Sequence, residues 1–258
     1  MRDVHQQFGA AVRFDWGPTG ADALATDNGC LVVIDVLSFT TSVSIAVSKG
    51  TEVFPYRWKD ETAAVYAEEK RAVLAIDRDM ANDTHPWSLS PAALMEAAAV
   101  ERLVLPSPNG STVAFGTKTF AVAGSFRNGE YVADHLYRAG YGTPDRPIGV
   151  IASGERWETD GSLRPCIEDF LCAGQIIFAL ARHGCTLSPE AQTANDAFKS
   201  ASNIPNILRD CASGRELIHD GYEQDVELAA KLNQDDVVPT LTNQRFHSVS
   251  VSDLAELA

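Results

Sequence analysis

The chain has 258 residues, of which 45% are apolar, and 35 acidic residues against 21 Lys and Arg give it a net charge of −14. This charge argues against a nucleic acid or an anionic membrane surface as the partner, and no stretch approaches the roughly 18 consecutive apolar residues of a membrane span. The N-terminal segment lacks the apolar region of a signal peptide, so a cytoplasmic protein is expected.

Residues 1–29 carry turn signals at Gly17-Pro18, and the first clear element is the strand that follows them. Leu31 to Asp35 read LVVID, a β-branched run typical of a strand buried on both faces. Hydroxyl side chains come next, at Ser38, Thr40, Thr41 and Ser42. They precede a helix-length apolar segment that stops at Lys49-Gly50. Ligands bind beyond the carboxyl ends of strands in open α/β sheets, so Asp35 and these hydroxyls either line a site or only cap the helix.

Strand and helix patterns then alternate along the chain. The predicted strands are Thr51 to Tyr56, Ala72 to Ile76, Arg102 to Pro106, Thr119 to Ser125 and Ile148 to Ala152. The predicted helices between them are Lys59 to Arg71, Pro91 to Val100 and Gly129 to Gly140. This alternation predicts an α/β fold with a largely parallel sheet covered by helices.

The clearest helix, Cys166 to His183, places Glu168 and Asp169 in its first turn, where acids often serve only the helix dipole. The next predicted helices are Pro189 to Ser200, Ile204 to Ala212 and Tyr222 to Asn233, with Ser213 to Gly221 as a capping segment and short strands at Val237 to Pro239 and Phe246 to Val251. We expect one α/β unit over residues 1–258. Its more helical C-terminal third could form a smaller subdomain at about 185–245.

Polar clusters follow four of the strands and should converge at one edge of the sheet. The clusters are Asp35 with its hydroxyls, Asp77-Arg78, Ser107 to Thr112 and Ser153 to Arg156. Carboxylates such as Asp35 and Glu168 are hard oxygen ligands for Mg²⁺, and Arg78 could hold an oxyanion. This combination points to metal-assisted hydrolysis of a phosphate ester. No P-loop, G-x-S-x-G, H-E-x-x-H or G-x-G-x-x-G pattern supports another scheme.

Four segments resemble the 2-phosphosulfolactate phosphatase family, Mg²⁺-dependent acid phosphatases associated with coenzyme M biosynthesis. They are IDVLSFTTS at Ile34 to Ser42, PNGS at Pro108 to Ser111, IEDFLCAG at Ile167 to Gly174, and SGREL followed by DVELAAKLN. The resemblance implies an α/β fold with its site in a cleft. It also implies that Asp35 and Glu168-Asp169 are the family's acids, that Asn109 to Ser111 is its N-G-T loop, and that Asp77-Arg78 is similar to its Glu-Arg pair.

The chain departs from the family pattern at two positions that the resemblance assigns to arginine. Ser38 and Thr112 stand there instead, and neither can make the bidentate phosphate contacts of a guanidinium. The loop SGERWETDGSLRP, an exposed excursion rich in turn residues, is also longer than in the family. Its Arg156 and Arg164 could restore positive charge from another direction.

We therefore predict a Mg²⁺-dependent phosphatase that acts on a phosphate monoester of a small anionic acid, with a homodimer as a further expectation. The predicted catalytic residues are Asp35, Glu168 and Asp169. The predicted metal ligands are Asp35, Asp77 and Glu168. The predicted substrate-binding residues are Ser38, Thr40, Thr41, Arg78, Asn109, Gly110, Ser111, Ser153 and Gly154.

Two alternatives stay open. The substitutions Ser38 and Thr112 would also suit a catalytically inactive protein that binds small anions on the same scaffold. A hydrolase with Cys172 as its nucleophile is a third hypothesis, although a thiol on a packed helix is more often inert. The five cysteines are odd in number and form no C-x-x-C pair, so neither a disulfide framework nor a zinc site is expected.

Overall fold

The computed structural model describes residues 3–58, 60–117, 119–250 and 252. Its strands are β1 (Val12–Trp16), β2 (Cys30–Ile34), β3 (Glu52–Tyr56), β4 (Val73–Leu74), β5 (Arg102–Pro106), β6 (Ala121–Gly124), β7 (Ile148–Ala152), β8 (Glu155–Arg156), β9 (Leu163–Arg164), β10 (Pro239–Thr242) and β11 (Arg245–Ser248). Nine of these form one sheet in the order β1-β7-β2-β6-β10-β11-β3-β5-β4, and β8 and β9 form a separate hairpin.

Helices connect most of the strands. They are α1 (Gly17–Leu24), α2 (Phe39–Ser48), α3 (Glu61–Lys70), α4 (Pro91–Glu96), α5 (Gly110–Gly116), α6 (Gly129–Arg138), α7 (Ile167–Arg182), α8 (Pro189–Ser200), α9 (Ile204–Asp210), α10 (Ala212–His219) and α11 (Glu223–Ala229). Within the described ranges, no helix combines the length and apolar character needed to cross a membrane.

The sheet consists of two parallel blocks joined by one hairpin. Strands β1, β7, β2 and β6 form the first block, and β3, β5 and β4 form the second. The antiparallel pair β10 and β11 lies between them, with β10 beside β6 and β11 beside β3. Strands β2 and β3, which α2 connects in the chain, therefore lie in different blocks.

Strand β2 is buried on both faces, as its β-branched sequence predicts. Val32 faces a core that includes Ile176 of α7, whereas Leu31 faces the opposite side and packs with Leu24 of α1. Fully burying a side chain of this size stabilises a fold by about 1.5–3 kcal/mol, so both helix layers contribute to holding the strand. The α/β class and the largely parallel, helix-covered sheet are confirmed.

Several element boundaries match the sequence predictions and others do not. The strands at Arg102–Pro106 and Ile148–Ala152 and the helix at Pro189–Ser200 are confirmed to the residue. The expected strand from Ala72 to Ile76 is shorter, because only Val73–Leu74 pair with β5. Lys59 and Val251, predicted as the first residue of a helix and the last residue of a strand, lie outside the described residues.

Three regular segments were not expected from the sequence. β1 and α1 occupy residues 12–24, where Pro18 lies in the first turn of α1 and its missing N–H costs no helical hydrogen bond. α10 occupies most of the expected capping segment. The loop SGERWETDGSLRP contains the hairpin of β8 and β9.

Candidate active site

The site begins at Asp35, which directly follows β2 and is 6% exposed. Its Oδ2 accepts a hydrogen bond from the Gly110 N–H at 2.7 Å, and its Oδ1 accepts one from the Phe39 N–H at 3.2 Å. The Ser107 hydroxyl also donates to Oδ2, at 3.4 Å. A Cβ on Gly110 would lie 2.6 Å from the Asp35 Cβ, so glycine is needed for this close approach. The carboxylate thereby joins the end of β2 to the end of β5.

Asp169, in the first turn of α7, joins two loops to that helix. Its Oδ1 accepts a hydrogen bond from the Val36 N–H at 2.8 Å, and its Oδ2 accepts one from the Gly154 N–H at 2.9 Å. The loops after β2 and β7 are thus fixed to the start of α7. Because both oxygens bind backbone amides, Asp169 positions these loops in addition to complementing the helix dipole.

Glu168 precedes Asp169 and is also buried, with 3% of its surface exposed. It lies within electrostatic range of both Asp35 and Asp169. Burial, followed by the charge of Glu168, raises the pKa of the thiol of Cys211, the residue before α10, and this thiol donates to the Leu208 carbonyl at 3.2 Å. Unlike Asp169, Glu168 receives no hydrogen bond from a backbone N–H within the described part of the chain. Its oxygens are therefore less committed to holding loops.

A fourth carboxylate comes from Glu155, the first residue of β8. Its side chain accepts a hydrogen bond from Asn109 Nδ2. We call Asp35, Glu155, Glu168 and Asp169 the acidic cluster. Across the described ranges, none of these four residues forms an ion pair with Lys or Arg. The acidic cluster therefore carries negative charge that no direct cationic partner neutralises.

Burial changes the proton affinity of three members of the acidic cluster, Asp35, Asp169 and Glu155. It raises the pKa of Asp35 and Asp169, and the charges of neighbouring carboxylates raise both further. Hydrogen bonds from Gly110 and Phe39 lower the pKa of Asp35 but do not cancel the effect of burial. Burial, followed by the charge of Asp35, raises the pKa of Glu155 to about 7. These carboxyls hold protons at pH values where exposed acids have lost them.

Two buried polar atoms at the site lack a protein partner. Asn109 Oδ1 and Ser153 Oγ make no hydrogen bond to any residue that the structure describes. Asn109 is 6% exposed and Ser153 is 3% exposed. A buried polar atom without a partner costs about 1–3 kcal/mol, so such atoms are expected to meet a ligand, an ion or water.

Arg78 contacts the loop that follows Asp35, through Ser38. Its Nε pairs with Asp225 Oδ2 at 3.1 Å, and its Nη2 donates to Ser38 Oγ at 2.7 Å and to the Leu89 carbonyl at 3.1 Å. The guanidinium also lies over the ring of Tyr222, 5.4 Å from its centroid. The position that the resemblance assigns to an arginine thus holds a serine that binds Arg78.

The predicted hydroxyls at Thr40, Thr41 and Ser111 are fully buried and bind backbone groups. Thr40 Oγ1 donates to the Asp35 carbonyl at 2.9 Å, and Thr41 Oγ1 donates to the Val36 carbonyl at 2.8 Å. Ser111 Oγ donates to the Tyr56 carbonyl at 2.7 Å. These hydroxyls shape the loops around Asp35, and a substrate-binding role for them stays a prediction.

Asp77 has a different environment from the acidic cluster. Its side chain is exposed and lines a cavity of about 160 Å³ together with Asp60 and Pro106, a cavity that neither Asp35 nor Glu168 lines. Over the described residues, no group of three or more His, Cys, Asp and Glu side chains could hold a metal ion by itself. A metal role for Asp77 stays a prediction.

The two arginines of the long loop differ in their positions. Arg164 donates to Ser213 Oγ at 3.3 Å, and its charge acts on Glu155. Arg156 is exposed and donates to the Gly161 carbonyl at 3.4 Å. Thr112, the second departure from the family pattern, donates to the Pro108 carbonyl at 2.6 Å. Of these two arginines, Arg164 is the one that brings positive charge near the acidic cluster.

Sequence reasoning missed Glu155, Asp225 and Cys211 as site residues. Glu155 belonged to a recognised polar cluster but was not assigned a role, and Asp225 is the first residue of the DVELAAKLN segment. The sequence segments that contain Glu155 and Asp225 were recognised, but neither segment indicates that Glu155 contacts Asn109 or that Asp225 pairs with Arg78. The Cys172 hypothesis is not supported, because this thiol has no exposed surface and burial raises its pKa well above the usual range.

Comparison with known proteins identifies the family of this chain. The sequence model of the family described as 2-phosphosulpholactate phosphatase matches residues 19–244, which include all four members of the acidic cluster and both members of the Arg78–Asp225 pair. The chain belongs to the 2-phosphosulfolactate phosphatase family. The resemblance carried by the four sequence segments is therefore confirmed over nearly the whole chain.

Relatives in this family match at similar levels along most of their length. A protein of Carboxydothermus hydrogenoformans named probable 2-phosphosulfolactate phosphatase is 30% identical over 227 residues, or 83% of this chain and 86% of the relative. One of the same name from Thermotoga petrophila is 29% identical over 83% of this chain and 90% of its own length. The 2-phosphosulfolactate phosphatase of Methanothermobacter thermautotrophicus is 26% identical over 85% and 89%.

Proposed function

We propose that the protein is a Mg²⁺-dependent phosphatase that hydrolyses a phosphate monoester of a small anionic acid. The observation that carries this proposal is the meeting of three strand ends at one acidic cluster, through the hydrogen bonds from Gly110 to Asp35 and from Gly154 to Asp169. The names of the relatives make 2-phosphosulfolactate the first ester to test.

The residues present fit a hard divalent cation. The acidic cluster supplies oxygen donors that pair with no Lys or Arg of the described ranges, and a Mg²⁺ site needs only one or two carboxylates besides water and substrate oxygens. Glu168 would hold the ion through oxygens that accept no backbone hydrogen bond in the described part of the chain, and Asp35, a carboxylate within its electrostatic range, would be the second ligand. When bound there, Mg²⁺ would neutralise phosphate charge and lower the pKa of the attacking water.

The guanidinium of Arg78 is fixed in an orientation that leaves two N–H donors for a phosphate oxygen. Asp225, Ser38 and the Leu89 carbonyl engage its Nε and Nη2, which fixes the guanidinium and leaves the Nη1 donors for a ligand. Ser153 Oγ, a buried hydroxyl that has no hydrogen-bond partner among the described residues, is a second donor for the phosphate. A group held this way has little conformational entropy left to lose on binding.

Other expectations from the sequence stay predictions. They are a cytoplasmic location, a homodimer, and the absence of nucleic acid and membrane from the set of partners. The proposed activity depends on none of them, because the described residues of one chain supply the whole acidic cluster and Arg78.

The proposal is tested by measuring phosphate release from a panel of small phosphate monoesters, including 2-phosphosulfolactate, with Mg²⁺ and with a chelator. We expect turnover only with Mg²⁺. The Asp35→Asn variant should lower kcat/KM by about 10³-fold, roughly 4 kcal/mol, since it removes a metal ligand and one charge of the cluster. Asp27→Asn, at an exposed aspartate before β2, is the matched control and should leave kcat/KM unchanged.

Turnover that persists in the chelator would contradict the metal dependence. The alternative of a small-anion binding protein on the same scaffold rests on Ser38 and Thr112, which stand where the family pattern has arginines. Calorimetry separates the two functions. Binding of phosphate monoesters without hydrolysis above the Asp35→Asn background would replace the phosphatase proposal by the binding one.

A further inference from the structure

A tight turn after β7 places Glu155 beside the loop that contains Asn109. Gly154 has a φ of +64°, and a Cβ there would lie 2.9 Å from the Arg164 carbonyl oxygen, so glycine is required for the hairpin to start this close to the strand end. In the hairpin, the backbone of Glu155 lies opposite the backbone of Arg164 in the register of the two antiparallel strands. The result is a carboxyl group on a different element from Asp35 and Glu168, facing the loop that contains Asn109.

The contact with Asn109 suits both protonation states of Glu155. Asn109 Nδ2 donates to the ionised carboxylate, while Asn109 Oδ1 is buried and has no partner in the described part of the chain. A half-turn of the amide presents Oδ1 instead, and this oxygen can accept a hydrogen bond from a protonated carboxyl. Asn109 can therefore hold Glu155 in place before and after it loses a proton.

The charges that face Glu155 are Asp35, Arg164 and Glu216. Burial raises the pKa of Glu155 to about 7, and Asp35 and Glu216 act in the same direction, whereas Arg164 and the Arg156 backbone N–H oppose it. Near neutral pH this carboxyl exchanges a proton readily, as a general acid should.

We propose that the Glu155 carboxyl protonates the leaving alcohol oxygen of the substrate, a catalytic role that rests on the proposed phosphatase function. The oxygen of the attacking water bonds to phosphorus as the bond from phosphorus to the alcohol oxygen breaks. The electron pair of the broken bond stays on the alcohol oxygen, which takes the proton from Glu155. The water gives one proton to solvent, and the Glu155 carboxylate takes one back from solvent.

The test compares esters that need this proton with esters that do not. An alkyl phosphate such as glycerol phosphate leaves as a strongly basic alkoxide, whereas p-nitrophenyl phosphate leaves as a stable phenolate. The Glu155→Gln variant should lower kcat by about 10²-fold for the alkyl ester and by less than about 5-fold for the aryl ester. It should also lose the fall in alkyl-ester kcat that the unmodified protein shows above about pH 7.

Glu158→Gln is the control, because Glu158 is an exposed acid of the same hairpin, and both rates should stay unchanged. An equal loss on both esters, or a high-pH fall that persists in Glu155→Gln, would overturn the proposal. The unmodified protein offers a check that needs no variant: kcat should depend weakly on the pKa of the leaving alcohol below about pH 6 and steeply above about pH 8. Equal dependence at both pH values overturns the role of Glu155, and no hydrolysis of any ester overturns the phosphatase function as well.

Discussion

The acidic cluster and Arg78 differ in whether a neighbouring residue balances their charge. The acidic cluster is held by backbone N–H groups from Gly110, Phe39 and Val36, among others, and has no direct cationic partner in the described ranges. Arg78, by contrast, is paired with the buried Asp225. A cation that enters the site would therefore supply the positive charge that the acidic cluster receives from no direct partner among the described residues. A phosphate would instead meet a guanidinium whose charge Asp225 already balances.

The contrast also separates two kinds of site residue. The charge of a carboxyl such as Glu155, whose pKa burial raises to about 7, can be changed by a proton, so this group suits acid–base chemistry. Asp225 is 1% exposed and also accepts hydrogen bonds from Ser90 Oγ at 2.6 Å and the Ala92 N–H at 2.9 Å, so it suits the fixing of Arg78 and of α4. Three experiments test this separation, in order of expected effect.

Breaking the Arg78–Asp225 pair should have the largest effect on stability. Asp225→Asn removes the negative charge beside a guanidinium that is 17% exposed, and we expect the free energy of unfolding to fall by about 3 kcal/mol, as when one partner of a buried pair is lost. Urea denaturation measures this change. Asp210→Asn, in the exposed pair with Arg215, should give no measurable change, and a similar result for both variants would refute the structural role of Asp225.

The acidic cluster should make stability depend on pH. A carboxyl whose folded pKa is raised binds its proton more tightly in the folded state, so its contribution is present at low pH and is lost as pH rises through the folded pKa. For Glu155 this loss occurs between its unfolded pKa of 4.5 and its folded pKa of about 7. Relative to the unmodified protein, Glu155→Gln should gain about 2 kcal/mol of unfolding free energy between pH 5 and pH 8, after allowance for solvent screening.

Urea denaturation of the two proteins across this pH range measures the gain. Mg²⁺ should reduce the difference at pH 8, because a bound cation offsets part of the repulsion between the carboxylates. A difference in stability that does not change with pH would show that Glu155 ionises in the folded protein as it does in the unfolded chain.

The smallest expected effect comes from the serine beside Arg78. Ser38→Ala removes one of the two acceptors for Arg78 Nη2, and we expect a loss of about 1 kcal/mol in unfolding free energy with a rise of a few fold in KM for a phosphate ester. Thr112→Val is the control at the other departure from the family pattern, where the hydroxyl only binds the Pro108 carbonyl of its own loop. If both variants raise KM equally, the contact from Ser38 to Arg78 does not position the guanidinium.

The sequence predicted those elements whose local pattern and tertiary environment agree. The run Leu31 to Ile34 is β-branched and lies between two helix layers, so its sequence and its burial point to the same strand. The helix Pro189–Ser200 begins with Ser188 as N-cap and Pro189 in the first turn, which are strong local signals. Asp35, Glu168 and Asp169 could be recognised because local sequence patterns indicate where a strand ends and where a helix begins.

The remaining features depend on contacts between distant residues. Nothing local in Pro239–Thr242 shows that this strand pairs with β6 in the middle of the sheet. The partner of Arg78 is 147 residues away in sequence, and the contact of Asn109 with Glu155 spans 46 residues. A single sequence carries no record of such pairings, so Glu155 and Asp225 could be named only from the structure.

The hairpin of β10 and β11 has a consequence for how the chain is made. Until residues 239–248 leave the ribosome, β6 and β3 each present an open edge with unpaired backbone groups, the kind of edge that invites pairing with other chains. Asp35 and Gly110 belong to opposite sides of this gap. A nascent chain therefore completes this sheet only after all of its other strands have been made.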